Sequence, residues 1–222
     1  MLLMKNVLNP LCRCGRAVAA AWLLMTPLTS LPADDSPTDP AFRKKFIAGF
    51  QRTILNTTPG DATLLRILVE SSQAKRGVEV GTATGYGAIH MGLGFERNGG
   101  RLLTVDIDPA MVRKARENLK AVGLEKIVTV LEGDALKVLP TLEGEFDFVF
   151  IDALKRDYFQ YFKALAPKLK PGAVVVADNV IQSREDMKDF LEFMENSPDY
   201  QMVIVRASTE KGDGMAICYK RR

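Results

Sequence analysis

Hydrophobic and polar positions change period along the chain, and the changes mark out its elements. Phe42, Phe46, Ile47, Phe50, Ile54 and Leu55 recur at helical spacing after Asp39 and Pro40, which supply an N-cap and a first-turn proline. "NTTPGDA" interrupts, and a second helix is expected with Leu64, Leu65, Leu68 and Val69 on its apolar side. Short apolar runs then alternate with helical patterns. "GVEVG" is followed by a helix from about Tyr86, "RLLTVDI" by a helix from Pro109 to Val122, and "IVTVLEG" by a short helix. "FDFVFID" precedes a helix from Asp157, and "GAVVVAD" one from about Arg184 to Asn196. Such alternation predicts an α/β fold, a parallel sheet covered by helices on both faces. The last two runs, "YQMVIVRA" and "GMAICYK", are separated only by "STEKGDG", too short for a helical crossover, so they should pair as an antiparallel hairpin.

The first 33 residues read differently. Lys5, Arg13 and Arg16 precede the apolar "AVAAAWLLM", and "TPLTSLPA" ends in Ala33, the layout of a secretory signal peptide, which implies an exported protein. The apolar run meets Pro27 before the roughly 20 residues a membrane span needs; an uncleaved anchor, or a start codon assigned too early and a cytoplasmic protein, are the alternatives. Residues 34–58 then form a linker and N-terminal helix, and 59–222 the main domain.

Composition adds little until that leader is set aside. The 222 residues carry 30 Lys and Arg against 27 Asp and Glu; residues 1–33 hold three of the basic residues and no acidic one, so the remainder is balanced. A balanced domain with scattered basic residues offers no footprint for nucleic acid. Cys12 and Cys14 lie in the leader, and the lone Cys218 reads as core packing. His90 is the only histidine and has no partner for a metal site, so its role reads as structural.

The chemistry gathers where strands end. "VEVGTATGYG" runs an apolar strand into glycines that open a helix, where a ligand can approach the backbone. Asp106, 25 positions beyond Gly81, either accepts the hydroxyls of a ribose or caps the next helix, and Asp108 before Pro109 reads as a cap. Asp134 in "EGDA" either meets an adenine amino group or caps. Asp152 with Lys155, then Asp178 with Asn179, follow at the ends of the next two strands. Three oxygen donors at neighbouring strand ends exceed what capping needs and suit a hard cation such as Mg²⁺.

These stretches, "VEVGTATGYG", "TVDIDP", "GDA", "FIDALKRDYFQYF" and "VADNV", in this order resemble the cation-dependent O-methyltransferases related to catechol and caffeoyl-CoA O-methyltransferases, over roughly residues 59–220. The resemblance implies a Rossmann-like methyltransferase fold with a mostly parallel seven-stranded sheet. It also implies S-adenosylmethionine beside Glu79, Gly81, Thr82, Ala83, Gly85, Tyr86 and Gly87, with Asp106 on the ribose, Asp134 at the adenine and Asp152 nearby. Asp152, Asp178 and Asn179 become Mg²⁺ ligands and Lys155 the base, acting on a vicinal aromatic diol. The expected partner is a small phenolic substrate, with no nucleic acid and no stable membrane insertion once the leader is cleaved; a homodimer is one form the assembly can take. Catechol enzymes hold the second hydroxyl with an acidic residue near the final hairpin; here Glu210 and Asp213 both stand in that region. A nicotinamide-dependent dehydrogenase and a non-catalytic S-adenosylmethionine-binding protein are the alternatives. The GxxxGxG spacing and the Asp-Lys and Asp-Asn pairs count against the first, and the complete metal-and-lysine set against the second.

Overall fold

The computed structural model describes residues 36–221, so the expected leader lies outside the described residues. Seven helices are described: α1 (Pro40–Ala48), α2 (Pro59–Ser71), α3 (Tyr86–Asn98), α4 (Pro109–Ala121), α5 (Ala135–Thr141), α6 (Tyr158–Leu165) and α7 (Lys188–Asn196). The strands are β1 (Arg76–Val80), β2 (Arg101–Asp106), β3 (Val128–Glu132), β4 (Phe146–Ile151), β5 (Leu169–Ala177), β6 (Tyr200–Val205) and β7 (Met215–Lys220). They form one sheet in the order β3-β2-β1-β4-β5-β7-β6. The first five are parallel, and β7 runs antiparallel between β5 and β6. The expected α/β sheet and terminal hairpin are both present. Among the described residues no helix is long and apolar enough to cross a membrane.

Alternation along the central strands divides the core in two, because successive side chains in a strand point to opposite faces. Val78, Val80, Val149 and Ile151 pack on one face with Tyr158, Phe162 and Phe190 from α6 and α7. Phe148, Phe150, Val174 and Val176 pack on the other with Leu65, Ile89, Phe95 and Val112 from α2, α3 and α4. The face of β1 that carries Gly77 has no room for a side chain, since a Cβ there would meet the Phe95 ring at 2.4 Å.

Three boundaries differ from the sequence expectation. The first helix stops at Ala48, and Ile54 and Leu55 are exposed, Ile54 fully, so the helical spacing beyond Phe50 does not continue the helix. The second begins earlier than its apolar pattern, because Pro59 takes the first position and the Thr58 side chain caps it by accepting from the Asp61 amide. The last helix begins at Lys188, after turns over residues 180–187, without a side-chain cap.

The register places the functional ends in line. Val80 pairs with Val105 and with Ile151, and Ile151 pairs with Ala177. The residues that follow, Gly81, Asp106, Asp152 and Asp178, therefore form one row across β2, β1, β4 and β5. Between β1 and β4 the order of connection reverses, the place where open α/β sheets bind their ligands.

Candidate active site

That row opens on a cavity of about 910 Å³. Gly81, Ala83, Asp106, Asp134, Asp152, Lys155, Asp178 and Asn179 line it, whereas the other residues expected at the cofactor, Glu79, Thr82, Gly85, Tyr86 and Gly87, are buried and do not line it.

The glycine turn is fitted to its neighbours. Gly81 has φ +98°, and a Cβ there would lie 2.0 Å from the Asp152 carbonyl oxygen. Its amide donates to Val105 O at 2.9 Å, and the Asp152 amide donates to Val80 O at 2.8 Å, so backbone bonds tie the turn to both flanking strands. Asp106 does not cap a helix. One of its oxygens accepts from the Ala83 amide at 2.8 Å and the other from the Asp108 amide at 2.9 Å, while Asp108 caps α4 as expected. Asp134 caps α5 by accepting from Leu136 N at 2.9 Å, and it also lines the cavity.

Glu79 alternates with Val78 and Val80 and so points to the opposite face from them, beneath α3. It is 1% exposed and accepts from the Thr104 hydroxyl at 2.6 Å, which lies 2.5 Å from the Thr82 hydroxyl. Burial, with the charges of Asp152 and Asp106 adding to it, outweighs the Thr104 hydrogen bond and pushes its carboxyl up to about 8. Glu79 thus sits under the cavity floor. His90 packs against Tyr86 at 4.8 Å, its ring nitrogens have no partner among the described residues, and burial lowers it to about 4, which agrees with a structural role. Burial raises the Cys218 thiol to about 12, as befits a packing residue.

The other half of the cavity holds the charged groups. Lys155 Nζ donates to Asp152 Oδ1 at 2.9 Å and to the buried Tyr158 hydroxyl at 2.8 Å. Both oxygens of Asp178, at 2.7 and 2.6 Å, accept from Lys211 Nζ, which is also 3.0 Å from Asp61 Oδ2. Burial first, then the Asp152 charge, outweigh that ammonium and push the Asp178 carboxyl up to about 6. Asn179 adopts φ +61°, and its amide nitrogen donates to Asp213 Oδ2 at 3.3 Å, which leaves its side-chain oxygen as the free acceptor. Asp213 itself is buried and accepts from the backbone of Ile181, Gln182 and Gly214, bonds that overcome its burial and hold its carboxyl below the usual range. Of the two acids near the hairpin, Glu210 is the one on the cavity, where it accepts from Arg52 at 2.9 Å.

Asn56, Asp61, Tyr158 and Lys211 are site residues that sequence reasoning missed. Asn56 is held by Thr53 and Thr84, lines the cavity, and has a buried Nδ2 without a partner among the described residues. Only Tyr158 had a visible signal, at the first turn of the helix after Lys155.

Residues 36–207 match the O-methyltransferase family. The chain belongs to that family. It is 32% identical over 206 residues to a catechol O-methyltransferase of Mycobacterium tuberculosis, which spans 87% of this chain and 92% of the relative. A catechol O-methyltransferase of Niastella koreensis is 37% identical over 132 residues, 58% of this chain and 59% of that relative's length. Among solved structures, the O-methyltransferase TomG from Streptomyces achromogenes, in complex with SAM, superposes with a TM-score of 0.71 at 29% identity over 76% of this chain and 82% of TomG. Family, relatives and fold agree on an S-adenosylmethionine-dependent O-methyltransferase, as the residue pattern implies, in place of a dehydrogenase.

Proposed function

We propose that this O-methyltransferase moves the methyl group of S-adenosylmethionine to one hydroxyl of a vicinal aromatic diol, with a divalent cation such as Mg²⁺ held by Asp152, Asp178 and Asn179, and with Lys155 as base. The observation that carries the reading is the meeting, in one cavity, of Lys155 and those three oxygen donors with Gly81, Ala83 and Asp106.

The residues fit both groups. Asn56 Nδ2 is a buried donor on the cavity without a partner among the described residues, and Gly81 and Ala83 of the glycine turn line the cavity beside Asp106. Among the described residues no three His, Cys, Asp or Glu side chains converge on one point, so the cation set is two carboxylates and an amide oxygen, all hard donors. Asp61, Asp152 and Asp178 outnumber Lys155 and Lys211 there, which leaves the site short of positive charge. When bound, a divalent cation supplies that charge and makes a phenolic hydroxyl more acidic.

The chain's own groups do the rest. Asp152 and the Tyr158 hydroxyl hold Lys155 Nζ at the cavity wall, where its unprotonated form takes the acceptor's proton, and Asp152 then balances the ammonium so formed. Methyl transfer needs the acceptor oxygen in line behind the methyl, and the backbone bonds that join Gly81, Val80 and Asp152 hold the two halves of the site at a set distance. Ile54, Leu55 and Leu154 expose apolar surface to the cavity, which suits a flat aromatic ring. The names of the relatives, catechol and caffeoyl-CoA O-methyltransferases, support the same substrate class.

The test is methyl transfer to catechol and to phenol with Mg²⁺ and in excess chelator. Turnover of catechol alone, abolished by chelator and restored by Mg²⁺, is the expected result. Equal rates on both acceptors, or full activity in chelator, would refute it.

A further inference from the structure

The loop between β6 and β7 brings Lys211 into the cavity, and the surroundings of its ammonium are unusual. Asp61 is 0% and Asp178 2% exposed, and two buried carboxylates need a positive partner. Lys211 serves both, with contacts to Asp178 Oδ1 (2.7 Å), Asp178 Oδ2 (2.6 Å) and Asp61 Oδ2 (3.0 Å). The first two are hydrogen bonds and the third an ion pair, so the ammonium faces carboxylate oxygens of both acids. The loop is pressed against the start of α2, where a Cβ on Gly60 would lie 2.3 Å from Ala207 O, so Lys211 reaches Asp61 from a fixed and short distance. The family match stops at residue 207, before Lys211.

One atom remains unexplained by this arrangement. Asp61 Oδ2 accepts from the Thr58 hydroxyl at 2.8 Å and lies 3.0 Å from Lys211 Nζ, yet Asp61 Oδ1 is buried with no hydrogen-bond partner among the described residues. A buried carboxylate oxygen without a donor is costly, and here it lies on the acid that already pairs with the ammonium.

We propose that Lys211 is a displaceable internal counter-cation: it neutralises Asp178 when no divalent cation is bound, and withdraws onto Asp61, whose free Oδ1 receives it, when one binds. The inference rests on the divalent-cation reading of Asp152, Asp178 and Asn179 given above. Its physical basis is competition for the same atoms. Lys211 occupies both Asp178 oxygens, and two cations on one carboxylate repel one another. Lys211 therefore lowers the site's affinity for a divalent cation, and Asp61 limits that loss by giving the displaced ammonium a second home. The ammonium stays beside the site after it moves, so the buried pair Asp61 and Lys211 remains neutral throughout.

The test is Mn²⁺ binding followed by electron paramagnetic resonance, without S-adenosylmethionine or acceptor, on wild type, Lys211→Met, Asp61→Asn and the double variant. Circular dichroism and S-adenosylmethionine affinity report that each variant is folded. Lys211→Met should bind Mn²⁺ about tenfold tighter, the order expected for removing one charge-assisted competitor at a partly exposed position. Asp61→Asn should weaken binding severalfold in the wild-type background and change it little once Lys211 is gone. Equal Mn²⁺ affinity in wild type and Lys211→Met overturns the proposal and leaves the cation reading intact. An Asp61→Asn effect that is the same in both backgrounds also overturns it. If neither wild type nor Lys211→Met binds Mn²⁺ while both bind S-adenosylmethionine, the cation reading fails and this inference fails with it.

Discussion

Replacing Lys155 with Met separates its two roles, because the structure sets different magnitudes for them. Lys155 makes a salt bridge to Asp152 with both side chains partly screened by solvent, 24% and 15% exposed, and a hydrogen bond to the Tyr158 hydroxyl, on a residue with no exposed surface. Discounted for screening, the salt bridge contributes about 1 kcal/mol. The unmet tyrosine oxygen adds about 1 kcal/mol more. Loss of about 2 kcal/mol lowers Tm by roughly 4 to 8 °C for a domain of this size, and still leaves the protein folded at 25 °C if its stability lies in the ordinary range of about 5 to 15 kcal/mol. Loss of a general base lowers kcat by about 10² to 10⁴, equivalent to roughly 2.7 to 5.5 kcal/mol of barrier. Rate should therefore fall far more than the folded fraction does. The assay is kcat on catechol with saturating S-adenosylmethionine and Mg²⁺, with Tm by calorimetry and cofactor affinity by titration on the same samples. Activity should return in part at higher pH, where the hydroxyl ionises without help. A kcat within about threefold of wild type across that range, less than any general base contributes, refutes the role of Lys155 even if Tm falls as calculated.

Three further outcomes follow from the site. Gly81→Ala forces a side chain into φ +98° against the Asp152 carbonyl and should cost about 2 to 4 kcal/mol in urea unfolding; an unchanged midpoint would mean that the turn can yield. Asp106→Ala removes the acceptor of the Ala83 amide and should weaken S-adenosylmethionine binding about tenfold or more by calorimetry while Mn²⁺ affinity stays close to wild type; equal cofactor affinity contradicts it. The Glu79 carboxyl, raised from 4.5 to about 8 in the folded protein, holds a proton that the unfolded chain has lost, so this group's contribution to stability is full below pH 4.5 and declines as pH rises towards 8. Glu79→Gln should remove that decline, worth up to a few kcal/mol at about 1.4 kcal/mol per unit, and parallel urea curves for the two proteins from pH 5 to 8 would count against it.

Much of this was legible in the residue pattern, and the reason is local. A strand's apolar run and the acid that ends it are adjacent in sequence, so Asp106, Asp152 and Asp178 could be placed at one edge without knowing the strand order. The cap at Asp108 could be read from Pro109 beside it, but the choice between capping and ligand contact at Asp106 could not, because it depends on which amides its carboxylate meets. The spacing of Ile54 and Leu55 suggested helix, yet nothing packs on Ile54, and periodicity carries no information about whether a partner face exists. Asp61 falls in the interrupting "NTTPGDA" because helix starts are polar, so its pattern does not distinguish a first turn from a loop. Lys211 comes from an aperiodic segment, and only the fold brings it to acids 33 and 150 positions away. The antiparallel pairing of the last two strands followed from the short connection, but the insertion of β7 between β5 and β6 did not, since loop length sets pairing and not order.

The row formed by Gly81, Asp106, Asp152 and Asp178 has a consequence for how such a protein can diversify. Strand side chains alternate sides, so one residue gained or lost within β1, β2, β4 or β5 would turn that strand's end group to the opposite face and shift it by about 3.3 Å. Changes of length inside these strands are therefore all-or-none losses of the row. The segments at residues 50–57 and 206–213 contribute to the cavity wall without belonging to that register, and their backbones can lengthen or shorten without moving a strand end. Selection for a new acceptor molecule can thus work through insertions and deletions in those two segments, while the four strands admit point substitutions only.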